Sequence, residues 1–246
     1  MTTPDPTLEK AKADVIRFSH KIAAREWVSN HDGNLSVRLA DHRFLLTPTG
    51  MHKGELTHAD LIIVDGTGAV VEGTRKPFSE WDLHRAAYDA REDVMAVIHA
   101  HPPTATGFAV AGIAVESTAL AEPVVSLGRE IPLVPFAAPK SGEGVAGVAA
   151  AAYRCDAMVL ERHGVLTLGP TLETAYLRLE LVEHQARIQL VARQLGGFAV
   201  LEAPAVEKLL ESRRAAGLET PGERERMDRR DLRSIIARVI AEELRS

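Results

Sequence analysis

Residues 94–103 read Val-Met-Ala-Val-Ile-His-Ala-His-Pro-Pro. The apolar first half predicts a buried strand, which the two prolines end because proline has no amide hydrogen to donate to a sheet. Strand side chains alternate between the two faces, so His99 and His101 lie on the same side. The stretch therefore predicts a buried strand that delivers two imidazoles to one point. Alone, a His-X-His pair is also compatible with surface or structural histidines.

A second stretch has the same form. Ala157 to Leu160 predicts another buried strand, and Glu161-Arg162-His163-Gly164 follows it. If the two strand ends are neighbours, His163 joins His99 and His101 in a set of three nitrogen ligands. Three neutral imidazoles with an open coordination position are typical of a catalytic metal site and not of a closed structural one.

Glu80 is the candidate general acid or base. Ser79 has the spacing of a helix N-cap, so Glu80 falls in the first turn of the predicted helix. The alternative is purely structural, because the helix dipole favours an acidic residue there. Yet this helix leads directly to the His99 strand. The carboxylate of Glu80 could therefore reach the metal site and remove a proton from a bound substrate.

Three polar loops could bind an anion. They are Gly33-Asn34-Leu35-Ser36, Thr47-Pro48-Thr49-Gly50 and Pro77-Phe78-Ser79. Each could be a simple turn, but together they supply amide, hydroxyl and backbone donors that can bind a phosphate. The N-terminus of the following helix would add its dipole. The P-loop and dinucleotide-binding glycine patterns are absent from the sequence, so neither an NTPase nor a dinucleotide-binding fold is indicated.

The remaining pattern predicts one α/β domain with a helical appendage. Domain boundaries are predicted at 1–197 for the metal-dependent domain and 198–246 for a helical C-terminal extension. The extension carries an apolar stripe from Leu232 to Leu244. Helices are predicted over 7–29, 104–111, 142–153 and 172–195, and further strands over 35–39, 43–47, 61–64, 69–71, 131–134 and 165–168.

Composition narrows the function classes. A net charge of −5 argues against binding nucleic acid by neutralising its phosphates. The single cysteine, Cys155, excludes an internal disulfide and a cysteine-based zinc cluster, and favours a reducing, cytoplasmic location. We find no signal-peptide pattern and no apolar run of the ~20 residues that span a bilayer, so no membrane partner is expected. The ten histidines, with carboxylates, must hold any metal.

The order and spacing of five motifs resemble those of the class II aldolase/adducin family, from about residue 8 to residue 195. The motifs are GNLS at 33–36, TPTG at 47–50, PFSEW at 77–81, HAH at 99–101 and ERHG at 161–164. The resemblance implies a three-layer α/β fold with a central, mainly antiparallel sheet flanked by helices. It also implies a homotetramer with active sites at subunit interfaces, and a small anionic substrate.

The resemblance also assigns roles to residues. The positions of His99, His101 and His163 bind a divalent metal in this family, with Zn²⁺ expected and Mn²⁺, Fe²⁺ or Co²⁺ as alternatives. Glu80 matches the catalytic acid/base, which also approaches the metal without substrate. Phosphate-binding positions match Asn34, Thr49, Gly50 and Ser79, and Gly33, Ser36 and Phe78 belong to the same loops.

The implied reaction is aldol cleavage of a small ketose phosphate or related hydroxy-ketone through a metal-stabilised enediolate. Two departures keep an alternative open. Phe78 stands where the family usually has a small hydroxylated residue, and the tyrosine that protonates the leaving group has no match. A decarboxylase of an oxo-acid or hydroxyaryl carboxylate needs no such donor. A non-catalytic, adducin-like assembly protein is disfavoured because the three histidines are present.

Overall fold

The computed structural model describes residues 6–138 and 142–226. Within these residues, eight strands form one sheet in the order β4-β3-β2-β1-β5-β8-β7-β6. Neighbouring strands are antiparallel except for β6 and β7, which are parallel. The strands are β1 (Asn34–Arg38), β2 (Phe44–Leu46), β3 (Ile62–Val64), β4 (Val70–Glu72), β5 (Ala96–Ala100), β6 (Leu133–Val134), β7 (Ala157–Leu160) and β8 (Gly164–Gly169).

Helices cover both faces of this sheet. They are α1 (Pro6–Ala24), α2 (Trp81–Ala90), α3 (Pro103–Val110), α4 (Ala121–Leu127), α5 (Gly142–Arg154), α6 (Leu172–Gln194) and α7 (Ala203–Ala215). Three short 3-10 helices lie at Lys53–Glu55, His58–Asp60 and Ser117–Ala119. None of the helices in the described ranges is long and apolar enough to cross a membrane.

Strand alternation builds two separate cores. On β5, Ile98 joins the apolar cluster formed with α1, α3 and α6, whereas Val97 joins the cluster formed with α2 and α5. Both side chains are fully buried, so the sheet is covered on both faces. The predicted three-layer α/β fold with a mainly antiparallel sheet is therefore confirmed.

The first helix is shorter than predicted. The periodic pattern predicts helix over 7–29, but α1 ends at Ala24. Glu26 has a φ of +57°, and the amide of Trp27 donates to the carbonyl of Ile22. Trp27 and Val28 are then buried in the core beside α1. Their apolar side chains continue the pattern because the chain turns back onto the same core after the helix has ended.

The segment after α6 packs onto the α/β domain. Helix α7 contacts α4, and Arg213 near its end is completely buried. The Arg213 guanidinium bonds the carbonyls of Val125 and Ser126 and the carboxylate of Asp156. The predicted apolar stripe at 232–244 lies outside the described residues, and the division into two domains at residue 197 stays a prediction.

Candidate active site

Three histidines meet at one end of β5. His99 is on β5, His101 follows that strand, and His163 lies in the turn between β7 and β8. β5 pairs with β8, placing Ala100 opposite Val165, and β8 pairs in turn with β7, so the turn that carries His163 lies at the end of β5. One nitrogen from each of the three imidazoles lies within 4.8 Å of the others. The structure thus brings together the three residues that the two sequence stretches single out.

Hydrogen bonds at Nδ1 orient two of the imidazoles. Nδ1 of His99 lies 3.0 Å from the carbonyl of Val165, to which it donates. Nδ1 of His101 lies 3.0 Å from a carboxylate oxygen of Asp32. Each bond holds the proton on Nδ1 and leaves the lone pair of Nε2 for a ligand, as is usual for metal-binding histidines.

The donor set fits a divalent metal. The Nε2 atoms of His99 and His101 lie 3.0 Å apart. Nitrogens bound at ~2.0–2.1 Å in a tetrahedral site are about 3.3 Å apart, so small shifts would accommodate an ion. Burial also lowers the pKa of His99 to about 3, which keeps this imidazole neutral at neutral pH.

Glu80 faces this cluster from the N-terminus of α2. One carboxylate oxygen lies 2.7 Å from Nε2 of His163, and the other accepts a 2.7 Å hydrogen bond from Nδ2 of Asn34. Nε2 of His99 is 3.6 Å from the same carboxylate. Burial raises the pKa of Glu80, but His99 and the bonds from His163 and Asn34 lower it more strongly. The Glu80 pKa therefore lies well below its ordinary value, and the group is a carboxylate at neutral pH.

The predicted N-cap at Ser79 is wrong. Glu80 occupies the N-cap position of α2, and its side chain makes no capping hydrogen bond. The carboxylate bonds Asn34 and His163 instead of the helix amides. The sequence pattern places Glu80 in the first turn of the helix, but it is the residue just before that turn, and from there its side chain faces the histidines.

The three polar loops lie side by side. The amide of Leu35 donates to the hydroxyl of Thr47 at 3.1 Å, which joins the first loop to the second. The amide of Thr49 donates to the carbonyl of Lys76, and Pro48 forms a β-bridge with Pro77, which joins the second loop to the third. Thr49, Gly50 and Ser79 are exposed, whereas Gly33 and Asn34 are buried.

Ser36 and Phe78 are placed differently from the other loop residues. Ser36 is fully buried, and its hydroxyl bonds Nδ1 of His84 and the hydroxyl of Tyr88, each at 2.7 Å. Phe78 is also buried, and its ring packs 4.8 Å from the ring of His84. Both side chains support α2 from inside the core. Their expected part in substrate binding stays a prediction.

A cavity of about 360 Å³ opens beside Glu80 and His163. Its wall is largely apolar, with side chains from α2, β6, α5 and the segment after β6. Lining residues include Leu83, Val134, Phe136, Val145, Glu161 and Arg162. Sequence reasoning missed this wall, because nothing in the local pattern of β6 or α5 signals that it borders the histidines.

Two further polar residues near the site were also missed. Asp32 directly precedes the GNLS motif, and its contact with His101 depends on chain folding that spacing alone does not reveal. Lys53 lies in a polar turn of the sequence, yet only 1% of its surface is exposed. Its ammonium donates to the carbonyls of His31 and Met51.

Comparison with known proteins places this site in a family. The model of the class II aldolase and adducin N-terminal domain matches residues 13–190. The chain belongs to this family. An L-fuculose phosphate aldolase from Methanococcus maripaludis is 30% identical over 181 residues, which are 73% of this chain and 96% of that protein. A solved L-fuculose 1-phosphate aldolase has a TM-score of 0.76 and 29% identity, covering 82% of this chain and 95% of the other.

The class II aldolase family relatives are not all aldolases. A methylthioribulose-1-phosphate dehydratase from Methylococcus capsulatus is 29% identical over 197 residues, covering 73% of this chain and 93% of that protein. Aldolases and dehydratases are both lyases. The predicted family and the predicted enzyme class, a lyase, are therefore confirmed.

Proposed function

We propose that this class II aldolase family member is a metal-dependent aldolase that cleaves a small ketose phosphate or a related hydroxy-ketone. The observation that carries the proposal is the approach of one carboxylate, Glu80, to three converging imidazoles. A metal-ligand set and an adjacent base are the two components that carbon–carbon bond cleavage through a carbanion requires.

His99, His101 and His163 would hold the metal, for which we propose Zn²⁺, with Mn²⁺, Fe²⁺ and Co²⁺ as alternatives. When bound, the ion would polarise the substrate carbonyl and stabilise negative charge on its oxygen. The chain's own contribution is orientation. Val165 and Asp32 fix two of the rings, so little reorganisation is needed when a ligand arrives.

Glu80 would move the proton. It is ionised at neutral pH and can therefore accept a proton, and its hydrogen bond from Asn34 fixes the direction of the carboxylate. A substrate carbon or hydroxyl that displaces His163 from the other carboxylate oxygen would lie within reach of that base. Asn34 is thus a positioning residue for the proton transfer.

The exposed ends of the three loops would bind the substrate's phosphate. Thr49, Gly50 and Ser79 are exposed beside Glu80, and they offer hydroxyl and amide donors. The N-terminus of α2, whose ten residues start at Trp81, adds a favourable dipole. The apolar cavity beside Glu80 and His163 would then receive the part of the substrate that leaves as an aldehyde.

One observation favours decarboxylation as a second candidate. The sequence has three tyrosines, and all of them lie in the described residues. Tyr88 and Tyr176 are buried in the two cores, and the hydroxyl of Tyr153 bonds Glu225. A decarboxylase of an oxo-acid or hydroxyaryl carboxylate produces no leaving alkoxide. The positions of these tyrosines are therefore no obstacle to that reaction.

The test is a substrate panel. Zinc-loaded protein would be incubated with ketose 1-phosphates, oxo-acids and hydroxyaryl carboxylates, while aldehyde and CO₂ are measured and all products are followed by NMR. Aldehyde release that is lost in the His99→Ala variant supports the aldolase. CO₂ alone would replace the aldolase with the decarboxylase, and loss of water alone would replace it with a dehydratase. No turnover of any compound by metal-loaded protein would contradict both candidates.

We also propose a cytoplasmic homotetramer with active sites at subunit interfaces. This proposal follows from the family and from the single cysteine, Cys155, which leaves no internal disulfide to be formed. Light scattering of the purified full-length chain measures the assembly directly. A monomeric mass at enzyme concentrations that support turnover would contradict it.

A further inference from the structure

Lys53 is an unusual lysine. Only 1% of its surface is exposed, although lysines are almost never fully buried unless they are paired. Across residues 6–138 and 142–226, no carboxylate lies within ion-pair distance of its nitrogen. Its hydrogen bonds go to two backbone carbonyls, that of Met51 at 2.9 Å and that of His31 at 3.2 Å. A buried ammonium held only by neutral carbonyls carries a desolvation cost without a direct counter-ion.

These two carbonyls flank the first two polar loops. His31 lies two residues before Gly33, and Met51 directly follows Gly50. At their other ends the same loops are joined by two hydrogen bonds of 3.1 Å. The amide of Leu35 donates to the hydroxyl of Thr47, and the amide of Thr47 donates to the carbonyl of Leu35. The ammonium of Lys53 therefore connects the two loops at the ends that the Leu35–Thr47 bonds do not join, and it fixes the distance between them.

The position also brings a positive charge close to the site. The carboxylates of Asp32 and Glu80 both act on Lys53 and favour its charged form. Burial opposes this effect and lowers the pKa of Lys53 to about 8, so the ammonium is still charged at neutral pH. In a chain with a net charge of −5, such a local cation matters to the binding of an anion.

We propose that Lys53 is a positioning residue for the substrate's anionic group: its ammonium holds the Gly33–Ser36 and Thr47–Gly50 loops at a fixed separation and places a buried positive charge beside them. The inference rests on the proposed function, because it takes these loops as the phosphate-binding segments. It adds a residue outside the five motifs, and it explains why a costly buried charge is found in this turn.

The experiment compares Lys53→Met, Lys53→Gln and Lys53→Arg with Lys10→Met, which removes an exposed lysine paired with Asp14. Sulfate binding to zinc-loaded protein is titrated by calorimetry, and zinc affinity and thermal unfolding are measured on the same samples. We expect the two uncharged variants to bind sulfate about tenfold more weakly. Zinc affinity should not change, and Lys53→Arg and Lys10→Met should stay within about threefold of wild type.

Kinetics separate positioning from a merely structural role. With a substrate that the wild type turns over, Lys53→Met should raise KM for the phosphorylated compound and leave kcat and the KM of its unphosphorylated analogue nearly unchanged. Folded Lys53→Met protein that binds sulfate as tightly as wild type would overturn the inference. If the wild type turns over nothing, the proposed function fails, whereas the sulfate titrations still decide the role of Lys53.

Should both uncharged variants fail to fold, the wild type provides the test. Sulfate keeps its charge from about pH 7 to about pH 9, and its affinity should fall as Lys53 loses its proton near pH 8. Over this range Glu80 stays ionised, because its pKa lies well below its ordinary value. Lys53→Arg should not show the fall. A flat profile in the wild type would overturn the inference.

Discussion

The carboxylate of Glu80 lies 2.7 Å from Nε2 of His163, one of the three imidazoles that meet at the end of β5. The contact couples the candidate base to the candidate metal ligands. Replacement of the carboxylate by an amide of the same shape removes the base and keeps all three imidazoles. For Glu80→Gln we expect kcat to fall by about 10²–10⁴ with zinc still bound. Steady-state kinetics and metal analysis measure the two effects separately.

A matched control for this variant is Glu92→Gln, which alters an exposed carboxylate just beyond the end of α2. Its kcat should equal that of the wild type. If Glu80→Gln turned over substrate at the wild-type rate, Glu80 would have no part in proton transfer.

Asp32 should set the metal affinity through His101. Its carboxylate accepts the Nδ1 proton of His101 at 3.0 Å, which fixes both the tautomer and the ring. Loss of such a partner typically weakens metal binding by about 10–100-fold, and we expect this for Asp32→Asn. Competition with a chromogenic chelator measures the zinc dissociation constant. Asp41→Asn, at an exposed position, is the control. Equal affinities in the two variants would remove Asp32 from the proposed role.

The fold and the histidine cluster follow from local sequence patterns. Strand alternation places His99 and His101 on one side, and the same β5 pattern assigns Val97 and Ile98 to opposite cores. The position of His163 required one additional assumption, that the two strand ends are neighbours. In the sheet β8 lies between these two strands, and its pairing with both of them brings the turn that carries His163 to the end of β5.

Residues whose roles depend on long-range contacts could not be predicted in this way. Lys53 bonds His31, and Arg213 bonds Asp156, across 22 and 57 positions of the chain respectively. Neither pair carries a periodic signal. The partners of Ser36 could not be predicted for a related reason, because its motif resembles a binding loop but its hydroxyl bonds His84 and Tyr88 of α2. Hydrophobic periodicity reports burial, and it does not report which buried polar groups meet.

Gly33 should be intolerant of any side chain. Its φ is +67°, and a Cβ there would overlap Cγ1 of Val28 and approach the carbonyl of His99. Gly50 has a similar φ of +73° but nothing within 4 Å of its Cβ position. Gly50→Ala should therefore lose about 1 kcal/mol of unfolding free energy from backbone strain alone. Gly33→Ala should lose more, because packing must also shift. Urea unfolding measures both, and equal losses would refute the steric argument.

His84 should make the metal-free protein sensitive to acid. It is fully buried, and burial lowers its pKa to about 3 from an ordinary value of 6.5. Between these values the unfolded chain binds a proton that the folded chain does not. The unfolding free energy should therefore fall as pH decreases below 6.5, by up to about 1.4 kcal/mol per pH unit for this residue.

His99 is buried in the same way and adds to this fall, so the test is a difference between variants. In His84→Gln the unfolding free energy should depend less steeply on pH below 6.5, by the slope that corresponds to about one proton taken up on unfolding. Above pH 7 the variant and the wild type should show the same trend. Urea unfolding of chelator-treated protein at several pH values measures the slopes. Identical slopes in the variant and the wild type would show that His84 is protonated in the folded state.

Removal of the buried charge of Asp156 should strongly lower the free energy of unfolding. Its side chain is 1% exposed, and it binds the guanidinium groups of Arg91, Arg178 and Arg213 at 2.7, 2.8 and 3.1 Å. Asp156→Asn leaves these buried cations without their shared counter-ion, and we expect a loss of about 3–5 kcal/mol in unfolding free energy. Asp14→Asn, at the surface of α1, should lose less than about 1 kcal/mol.

The same variant tests what holds α7 in place. Arg213 reaches Asp156 from the end of α7, so loss of the carboxylate should also weaken the attachment of that helix. We expect limited proteolysis after α6 to become faster in Asp156→Asn before the α/β domain unfolds, because residues 195–202 connect the two parts through an irregular segment. An unchanged cleavage rate at reduced global stability would mean that the carbonyls of Val125 and Ser126, with Glu223, are enough to hold Arg213.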